Sequence, residues 1–316
     1  MSALPWPYEG ALPLSGATFY HAGSNICLDF HGDLTRAQLV VFSDGNHHMA
    51  LEQCLRAFLA DNPATQDIFY ATTPPRVIVE ALKTGGVNLG NLRLTCAPHV
   101  FISPPKILNR LVADGALREH HLLAQSAGNV LLVKKGNPKG IHGVADLRRD
   151  DVCLFISNPI TESVSYETYA ATLQRLAEKQ GWQLDLADAR PARVIYGESI
   201  HHREAPQALA DGRADCAVVF MHLALRYERI FPEHFETVPI SAAGDADNLA
   251  SSIHVGVVGN GGQWGQRAVD FLLSEQAGAI YRQHGLLGRE VGESREHLPS
   301  TTPHPSPLPK KRGEGT

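Results

Sequence analysis

Two pairs of adjacent histidines are the residues of this sequence whose types and spacing most suggest chemistry. His47-His48 and His201-His202 each lie where a strand-like run gives way to a helical pattern, and His222 is a further candidate. Neutral imidazole rings bind transition metals such as Zn, Cu, Ni and Fe. Rings that donate hydrogen bonds or carry a proton hold an anion instead, because charge-assisted hydrogen bonds are strong. The pairs therefore raise three possibilities: an anion site, a metal site and acid–base catalysis.

The surrounding residues rank these possibilities. Arg203 adjoins the second pair and favours an anion, whereas Glu198 and Glu204 could add oxygen ligands to a metal. Adjacent histidines lack the i, i+4 spacing that places two rings on one helical face. One ring of such a pair can equally be solvated while the other packs in a core. The sequence contains no GxSxG, Walker or GxGxxG motif in the required setting. We therefore predict no enzyme activity and place a metal site behind an anion site.

The first histidine pair belongs to the segment LVVFSDGNHHMAL at residues 39–51. Its apolar run, without alternation, is typical of a strand buried on both faces of a parallel sheet. A polar turn at residues 43–46 ends the run, and helical spacing of apolar residues follows. A strand-to-helix turn of this kind directs unpaired backbone N–H groups toward the carboxyl edge of the sheet. Small ligands, anions above all, are expected there.

The alternation of strand and helix continues along the chain and predicts an α/β fold with two lobes. The extended segment 122–135 and the strand 252–259, which we expect to pair with residues 129–133, would be the crossings between lobes. Further strands are predicted at residues 68–73, 92–96, 99–103, 152–157, 192–196, 216–220 and 235–240, and helices at residues 76–84, 106–113, 163–180, 204–210 and 262–284.

Bulk composition excludes several classes of protein. The 316 residues carry a formal net charge of -5, which gives no reason to expect nucleic acid as a partner. The five cysteines form no CxxC pattern, so we expect reduced core thiols. No apolar run is long enough to span a bilayer, and residues 1–16 resemble an irregular arm without a basic start or apolar h-region. From the sequence as given we expect a cytoplasmic protein, or a periplasmic one if the true start lies upstream.

Several phrases carry a resemblance to a known family. The segments VFSDGNHHMAL, YATTPPRVIVEALKTG, HVFISPPKILNRLVADG and FISNPITESVSYETYAATL resemble the substrate-binding proteins of ABC importers, in the molybdate/tungstate-binding branch. The likeness covers about residues 38–285. It implies a two-lobe type-2 periplasmic-binding-protein-like fold that closes on a dehydrated tetrahedral oxyanion. Neutral hydroxyls and backbone N–H groups would hold that ligand, without a cofactor.

The resemblance assigns site residues position by position. The family's first-strand Ser falls at Asn46, and its Ser-Ser pair falls at Thr72 and Thr73, although the following Gly is Pro74 here. Its Asp-Pro dipeptide falls at Asn158-Pro159, ahead of a loop in which Ser163 is a possible donor. Phe220 replaces the family's Tyr, with His222 two residues on. The predicted ligand-binding residues are Asn46, His47, His48, Thr72, Thr73, Asn158, Ser163, His201, His202, Arg203 and His222.

The predicted function is closure of two lobes on a small oxyanion, for transport or sensing. The alternative is a transition-metal-binding protein that uses His47, His48, His201 and His202, and an enzyme is a distant third. An ABC importer permease is an expected partner if the chain is exported, and we expect a monomer without membrane insertion. The predicted division is an arm at 1–16, a first lobe at 17–131 and 255–289, a second lobe at 132–254, and a disordered tail at 290–316.

Overall fold

The chain folds around two large β-sheets, beside a separate two-stranded one, in the computed structural model, which describes residues 29–73, 75–89, 92–186, 193–198 and 200–288. The predicted arm at 1–16, the predicted tail at 290–316 and Pro74 lie outside the described residues. The strands are β1 (Asp29–His31), β2 (Leu39–Ser43), β3 (Ile68–Thr72), β4 (Val87–Leu89), β5 (Leu92–Leu94), β6 (Val100–Ser103), β7 (His121–Ser126), β8 (Asn129–Lys134), β9 (Leu154–Ile156), β10 (Val194–Tyr196), β11 (Cys216–Phe220), β12 (Phe235–Pro239), β13 (Ser252–Val257) and β14 (Leu286–Gly288).

Helices cover the faces of both sheets. Besides a short 3-10 helix at Val144–Arg148, they are α1 (His48–Asp61), α2 (Pro75–Thr84), α3 (Pro105–Ala113), α4 (Ser163–Lys179), α5 (His201–Ala210), α6 (Met221–Ile230), α7 (Gly265–Leu272) and α8 (Glu275–Gln283). Across the described ranges, no helix is both long and apolar enough to cross a membrane.

The first sheet has the strand order β1-β3-β2-β6-β13-β7-β14. Its strands β3, β2 and β6 are parallel neighbours, so their carboxyl ends meet at one edge. The remaining pairs in this sheet are antiparallel. Polar residues that follow β2, β3 and β6 are thereby brought together at that edge, as expected for a sheet of this type.

Successive residues of β2 point into two different cores, because side chains alternate across a strand. Val41 packs with α1, α7 and α8 on one face, whereas Phe42 packs with α2 and α3 on the other. All five residues of β2 are buried, as the unbroken apolar run predicted. Phe58 joins α1 to α7 through edge-on contacts with Trp264 and Phe271 at centroid distances of 6.4 and 5.6 Å.

The second sheet has the strand order β10-β9-β11-β8-β12 and packs with α4, α5 and α6 in one continuous core. Its strands β9 and β10 run parallel, so α4 and α5 begin at the same edge. We call the first sheet with α1, α2, α3, α7 and α8 the first lobe, and the second sheet with α4, α5 and α6 the second lobe. The predicted α/β fold with a cleft between two sheets is confirmed.

The chain passes between the sheets at residues 127–128 and again within residues 240–251. The expected pairing of 252–259 with 129–133 is wrong, because β13 pairs with β6 and β7 while β8 pairs with β11 and β12. The apolar pattern identified both segments as strands. It carried no information on which strand each would join, since partner choice depends on the packing of the whole sheet.

Two helix predictions also need correction. The helix expected at 262–284 is two helices, α7 and α8, separated at Leu273 and Ser274, where the Ser274 hydroxyl accepts a hydrogen bond from the Ala277 N–H and starts α8. The helix α6 was not predicted, because it follows β11 directly without a Gly or Pro turn. His222 therefore lies in the first turn of a helix that the sequence did not predict.

Candidate functional site

A cleft of about 520 Å³ lies between the two lobes. On the first lobe it is lined by residues that follow β2, β3 and β6, including Asn46, Thr73 and Pro104. On the second lobe it is lined by residues 160–165, which lead into α4, and by residues 200, 202 and 203 at the start of α5. The cleft thus lies where the carboxyl edge of the first sheet faces the starts of α4 and α5 in the second lobe.

Five helices begin at this cleft. Pro75, Lys106, Ser163 and His202 lie in the first turns of α2, α3, α4 and α5, and Asn46 lies two residues before α1. The first turns of α1 to α4 carry no acidic side chain. A helix start presents N–H groups without helical partners and the positive end of a macrodipole, equivalent to roughly half an elementary charge. At the start of α5, however, the His201 and Ile200 N–H groups donate to Glu162 Oε2 and Glu204 Oε1. The convergence of these helix starts makes the cleft favourable for an anion.

Two threonine hydroxyls in the cleft wall are buried without a partner. Thr72 and Thr73 are each 2% exposed, and their Oγ1 atoms make no hydrogen bond within the described part of the chain. Ser103 and Ser157, at the ends of β6 and β9, have equally unpartnered hydroxyls. A buried hydroxyl without a partner costs about 1–3 kcal/mol, so each such group requires an explanation. A bound ligand that accepts hydrogen bonds would supply one for Thr72 and Thr73.

Charged side chains of both signs line the cleft. Lys106 and Arg110 come from successive turns of α3 and are exposed, whereas Arg203 is 7% exposed in the wall formed by α5. The carboxyl groups are those of Asp44 and Glu162. Cations therefore outnumber carboxyl groups in the lining, and this excess again favours an anion.

Both carboxyl groups are held closer to their neutral forms than usual. Loss of solvation raises the pKa of Glu162 to about 8, against the hydrogen bond that its Oε2 accepts from the His201 N–H at 2.8 Å. Burial raises the pKa of Asp44 to about 6, although Oδ1 accepts a hydrogen bond from the Asn46 N–H at 3.2 Å. At neutral pH Glu162 therefore carries a proton and opposes an anion less than an ionised carboxylate would.

His47 packs inside the first lobe and does not line the cleft. Its side chain is fully buried, with Nε2 3.0 Å from the Ser43 hydroxyl and Nδ1 2.8 Å from the Tyr281 hydroxyl. Burial lowers its pKa to about 3, so the ring stays neutral. The prediction that His47 faces the ligand is corrected accordingly, because this ring joins the end of β2 to α8.

The second pair divides between the core and the cleft. His201 is 2% exposed, stacks on Phe155 at 5.6 Å and has a pKa lowered to about 3 by burial. His202 lines the cleft and faces the first lobe, since a Cβ placed on Gly45 would lie 3.6 Å from its Cε1. Loss of solvation, and then the charge of Arg203, hold the pKa of His202 well below its usual range. His202 is therefore a neutral ring in the cleft.

His48 and His222 lie close to the cleft without lining it. The Nδ1–H of His48 donates to the Gly45 carbonyl at 2.8 Å, which orients that ring toward its own turn. The Nε2–H of His222 donates to the Asn46 carbonyl at 3.0 Å and so links α6 of the second lobe to the first lobe. Burial lowers the pKa of His222 to about 4. We conclude that His222 connects the lobes.

The loop between β9 and α4 is built by Asn158. Its Oδ1 accepts hydrogen bonds from the Ile160 and Thr161 N–H groups at 2.8 and 3.2 Å, and its Nδ2 donates to the Gly197 carbonyl at 2.9 Å. Asn158 thus shapes the cleft but does not line it, whereas Ser163 is exposed and does. Of the predicted residues, those that line the cleft are Asn46, Thr72, Thr73, Ser163, His202 and Arg203.

The dispersal of the histidines bears on the metal alternative. Among the described residues, no group of three or more His, Cys, Asp or Glu side chains is arranged to hold a metal ion. His47 and His201 are each enclosed by other side chains of their own lobe. The four histidines proposed as metal ligands are therefore not brought together, because neighbouring side chains in a helix point in directions about 100° apart.

Sequence reasoning missed four charged residues of the lining. Lys106 and Arg110 have the i, i+4 spacing that places both on one face of α3, a signal present in the segment PPKILNR. Glu162 belongs to the loop ITESVS, in which only the hydroxyls were considered. Asp44 was assigned to the turn after β2, and nothing in its local sequence showed that it would be buried.

Comparison with known proteins agrees with this geometry. A family model described as bacterial extracellular solute-binding protein matches residues 39–287. No curated protein matches the chain significantly.

Solved structures share the fold at low sequence identity. The periplasmic molybdate-binding protein of Azotobacter vinelandii is 17% identical, with a TM-score of 0.56 over 80% of this chain and 100% of the other. The sulfate-binding protein SubI of Mycobacterium tuberculosis is 15% identical, with a TM-score of 0.59 over 80% and 87%. The tungstate-binding protein TupA of Desulfovibrio alaskensis is 11% identical, with a TM-score of 0.51 over 76% and 92%. The resemblance predicted from the sequence is thus confirmed.

Proposed function

The chain belongs to the bacterial extracellular solute-binding proteins, and from that premise we propose that its cleft binds an oxyanion between the two lobes. The observation that carries the proposal is the convergence of five helix starts on a cleft whose wall contains the unpartnered hydroxyls of Thr72 and Thr73. Backbone N–H groups and neutral hydroxyls are donors suited to a dehydrated oxyanion. The solved structures that bind molybdate, sulfate and tungstate support the same class of ligand.

Each lining group has a proposed role. Thr72 and Thr73 donate to the ligand from the first lobe, and Ser163 donates from the start of α4. Arg203 supplies positive charge in the buried wall, while Lys106 and Arg110 supply it nearer to solvent. Because Glu162 has a pKa of about 8, it acts as a further hydrogen-bond donor near neutral pH. No step of chemical conversion is included in the proposal.

A transport role follows from the family. We propose that the chain delivers its ligand to the permease of an ABC importer, as solute-binding proteins of this class would. The opening of the cleft between two lobes supports this role, because release of a ligand requires the lobes to separate.

The test is a panel of anions and metals measured by thermal unfolding and titration calorimetry. Molybdate, tungstate, sulfate and phosphate are compared with chloride, Zn²⁺ and Ni²⁺. At one hundred times its dissociation constant, a ligand that binds only the folded state adds about 2.7 kcal/mol to the free energy of unfolding. We expect at least one oxyanion to raise the melting temperature by roughly 5–10 °C. If only the metals stabilise the protein, the oxyanion proposal is wrong.

A further inference from the structure

We infer that the ligand is an organic oxyanion, a phosphate ester or sulfonate with an apolar body of about the size of a phenyl ring. This inference rests on the proposed function, because the oxyanion group would occupy the site argued above. The inference adds an apolar body to the oxyanion group, and inorganic oxyanions have no such body. Three features of the cleft lead to it: its volume, its shape along two helices, and an apolar wall that includes one unusually exposed isoleucine.

The volume of the cleft exceeds what an inorganic oxyanion fills. A water molecule occupies about 30 Å³ in the liquid, so the four oxygen atoms of a tetrahedral oxyanion occupy roughly 120 Å³. The cleft measures about 520 Å³, within the range of about 300–1,000 Å³ typical of sites for organic ligands. The lobes already touch beside the cleft through the His222–Asn46 hydrogen bond. The extra room is therefore present while the lobes are in contact.

The cleft extends away from the strand ends along two helices. Pro75 and Val79 of α2 both line it, as do Lys106 and Arg110 of α3. Each pair spans four residues, which is about 6 Å along a helix. Thr73, which follows β3 directly, lines the strand end of this space. An oxyanion held at the hydroxyls would thus leave a further helical turn of the cleft for the rest of a ligand.

The wall of this extension has an apolar part beside Lys106 and Arg110. This part is formed by Val79, Ile107, Val164 and Ile160, from α2, α3, α4 and the loop before α4. Ile160 is 89% exposed, although a large aliphatic side chain is normally covered. The backbone of the turn that exposes Ile160 is fixed, because Asn158 Oδ1 accepts hydrogen bonds from the Ile160 and Thr161 N–H groups. An apolar body bound in the cleft would cover this side chain.

The experiment compares matched anions with and without an apolar body. Titration calorimetry on the full chain measures dissociation constants for phosphate, methyl phosphate and phenyl phosphate, and for sulfate and benzenesulfonate. The inference expects phenyl phosphate or benzenesulfonate to bind at least tenfold more tightly than its inorganic parent. Equal or weaker binding of both aromatic anions would overturn the inference while leaving the oxyanion proposal intact. If none of these anions binds, the inference is overturned, and the oxyanion proposal fails with it only if molybdate and tungstate also fail to bind.

Variants then locate the apolar body. Ile160→Ser and the isosteric Val79→Thr should each reduce the ratio between the phosphate and phenyl phosphate dissociation constants by at least threefold. Leu287→Ser is the matched control, because Leu287 is 54% exposed in β14 and does not line the cleft. In Leu287→Ser the ratio between the phosphate and phenyl phosphate dissociation constants should equal that of the parent. An unchanged ratio in both cleft variants would show that the aromatic ring binds elsewhere and would overturn the inference.

Discussion

Thr72 carries a buried hydroxyl for which the described residues provide no hydrogen-bond partner. Such a group weakens the folded state of the free protein, because it has lost its hydrogen bonds to water without replacement. Thr73 beside it is in the same position. At the scale of single residues, the site therefore has two features: side-chain hydroxyls that have no hydrogen-bond partner in the absence of ligand, and charged side chains.

The substitution Thr72→Val should separate binding from stability. It removes the hydroxyl and keeps the shape, so the free energy of unfolding in urea should stay equal or rise by about 1 kcal/mol. The affinity for the best oxyanion should fall about tenfold or more, since a hydrogen bond to a charged group contributes about 1.5–3 kcal/mol. Thr65→Val is the control, because that hydroxyl is also buried and unpartnered but lies outside the cleft. Unchanged anion affinity in Thr72→Val would contradict the proposed role.

Glu162 gives the site a pH dependence of known sign. With a pKa raised to about 8, its carboxyl is neutral at pH 7 and becomes negative as the pH rises through 8. A negative charge in the lining repels an anion, so affinity should fall about tenfold between pH 7 and 9. Sulfate or molybdate is the suitable probe, because neither changes its charge over this range. In Glu162→Gln the affinity should stay constant across the same interval, and an equal fall in the variant would assign the effect to another group.

At the scale of elements, the sequence predicted the strand-to-helix turns well and the histidines poorly. The turns could be predicted because an apolar run and a polar turn are both local patterns, whereas Thr72 and Asn46 were assigned from the family resemblance. The direction of each histidine ring could not, because it depends on which face of α1 or α5 meets a core. His47 is enclosed by Tyr281, which lies 234 residues away in the chain. A contact between residues so far apart in the chain cannot be predicted from the spacing of residues within one segment.

Two acidic side chains hold the start of α5: Glu162, whose Oε2 accepts a hydrogen bond from the His201 N–H, and Glu204. Glu204 Oε1 accepts a hydrogen bond from the Ile200 N–H at 2.8 Å, and Oε2 accepts one from the Glu198 N–H at 2.6 Å. The N-cap residue Ile200 returns no side-chain hydrogen bond, so this arrangement resembles one half of a capping box, in which an acidic residue of the first turn satisfies free N–H groups. Gly197 allows the carboxylate to approach, since a Cβ there would lie 2.9 Å from Oε2. Glu204 thereby positions the α5 residues that line the cleft.

Glu204→Ala should weaken both stability and binding. Loss of a helix cap typically costs about 0.5–2 kcal/mol, which urea unfolding would measure. Anion affinity should fall as well, because His202 and Arg203 are in the helical turn that loses its cap. Glu178→Ala is the matched control, since Glu178 is exposed on α4 away from the cleft. A loss of stability without any loss of affinity would show that the start of α5 does not position ligand-binding groups.

At the scale of the whole molecule, two crossings of the chain and a few side-chain contacts join the lobes. The crossings lie at residues 127–128 and 240–251, and the contacts include the His222 hydrogen bond to Asn46 and an ion pair of 3.5 Å between Lys106 and Glu167. The ion pair is exposed and contributes little to stability. The buried hydrogen bond of His222 is the stronger link, since loss of one partner leaves the other unsatisfied in the interior.

We predict that ligand binding and the His222 link favour the same closed arrangement of the lobes. Saturation with the best oxyanion should reduce the radius of gyration measured by small-angle scattering, because the lobes close on the ligand.

In His222→Phe, which keeps an aromatic ring but cannot donate to Asn46, the ligand-free protein should show a larger radius of gyration than the parent. Its affinity should be lower in proportion to the smaller closed fraction. Arg229→Ala, a change at an exposed residue in the last turn of the same helix, should alter neither quantity. If the parent has the same radius of gyration with and without saturating ligand, closure is not part of binding, and the crossings do not act as a hinge.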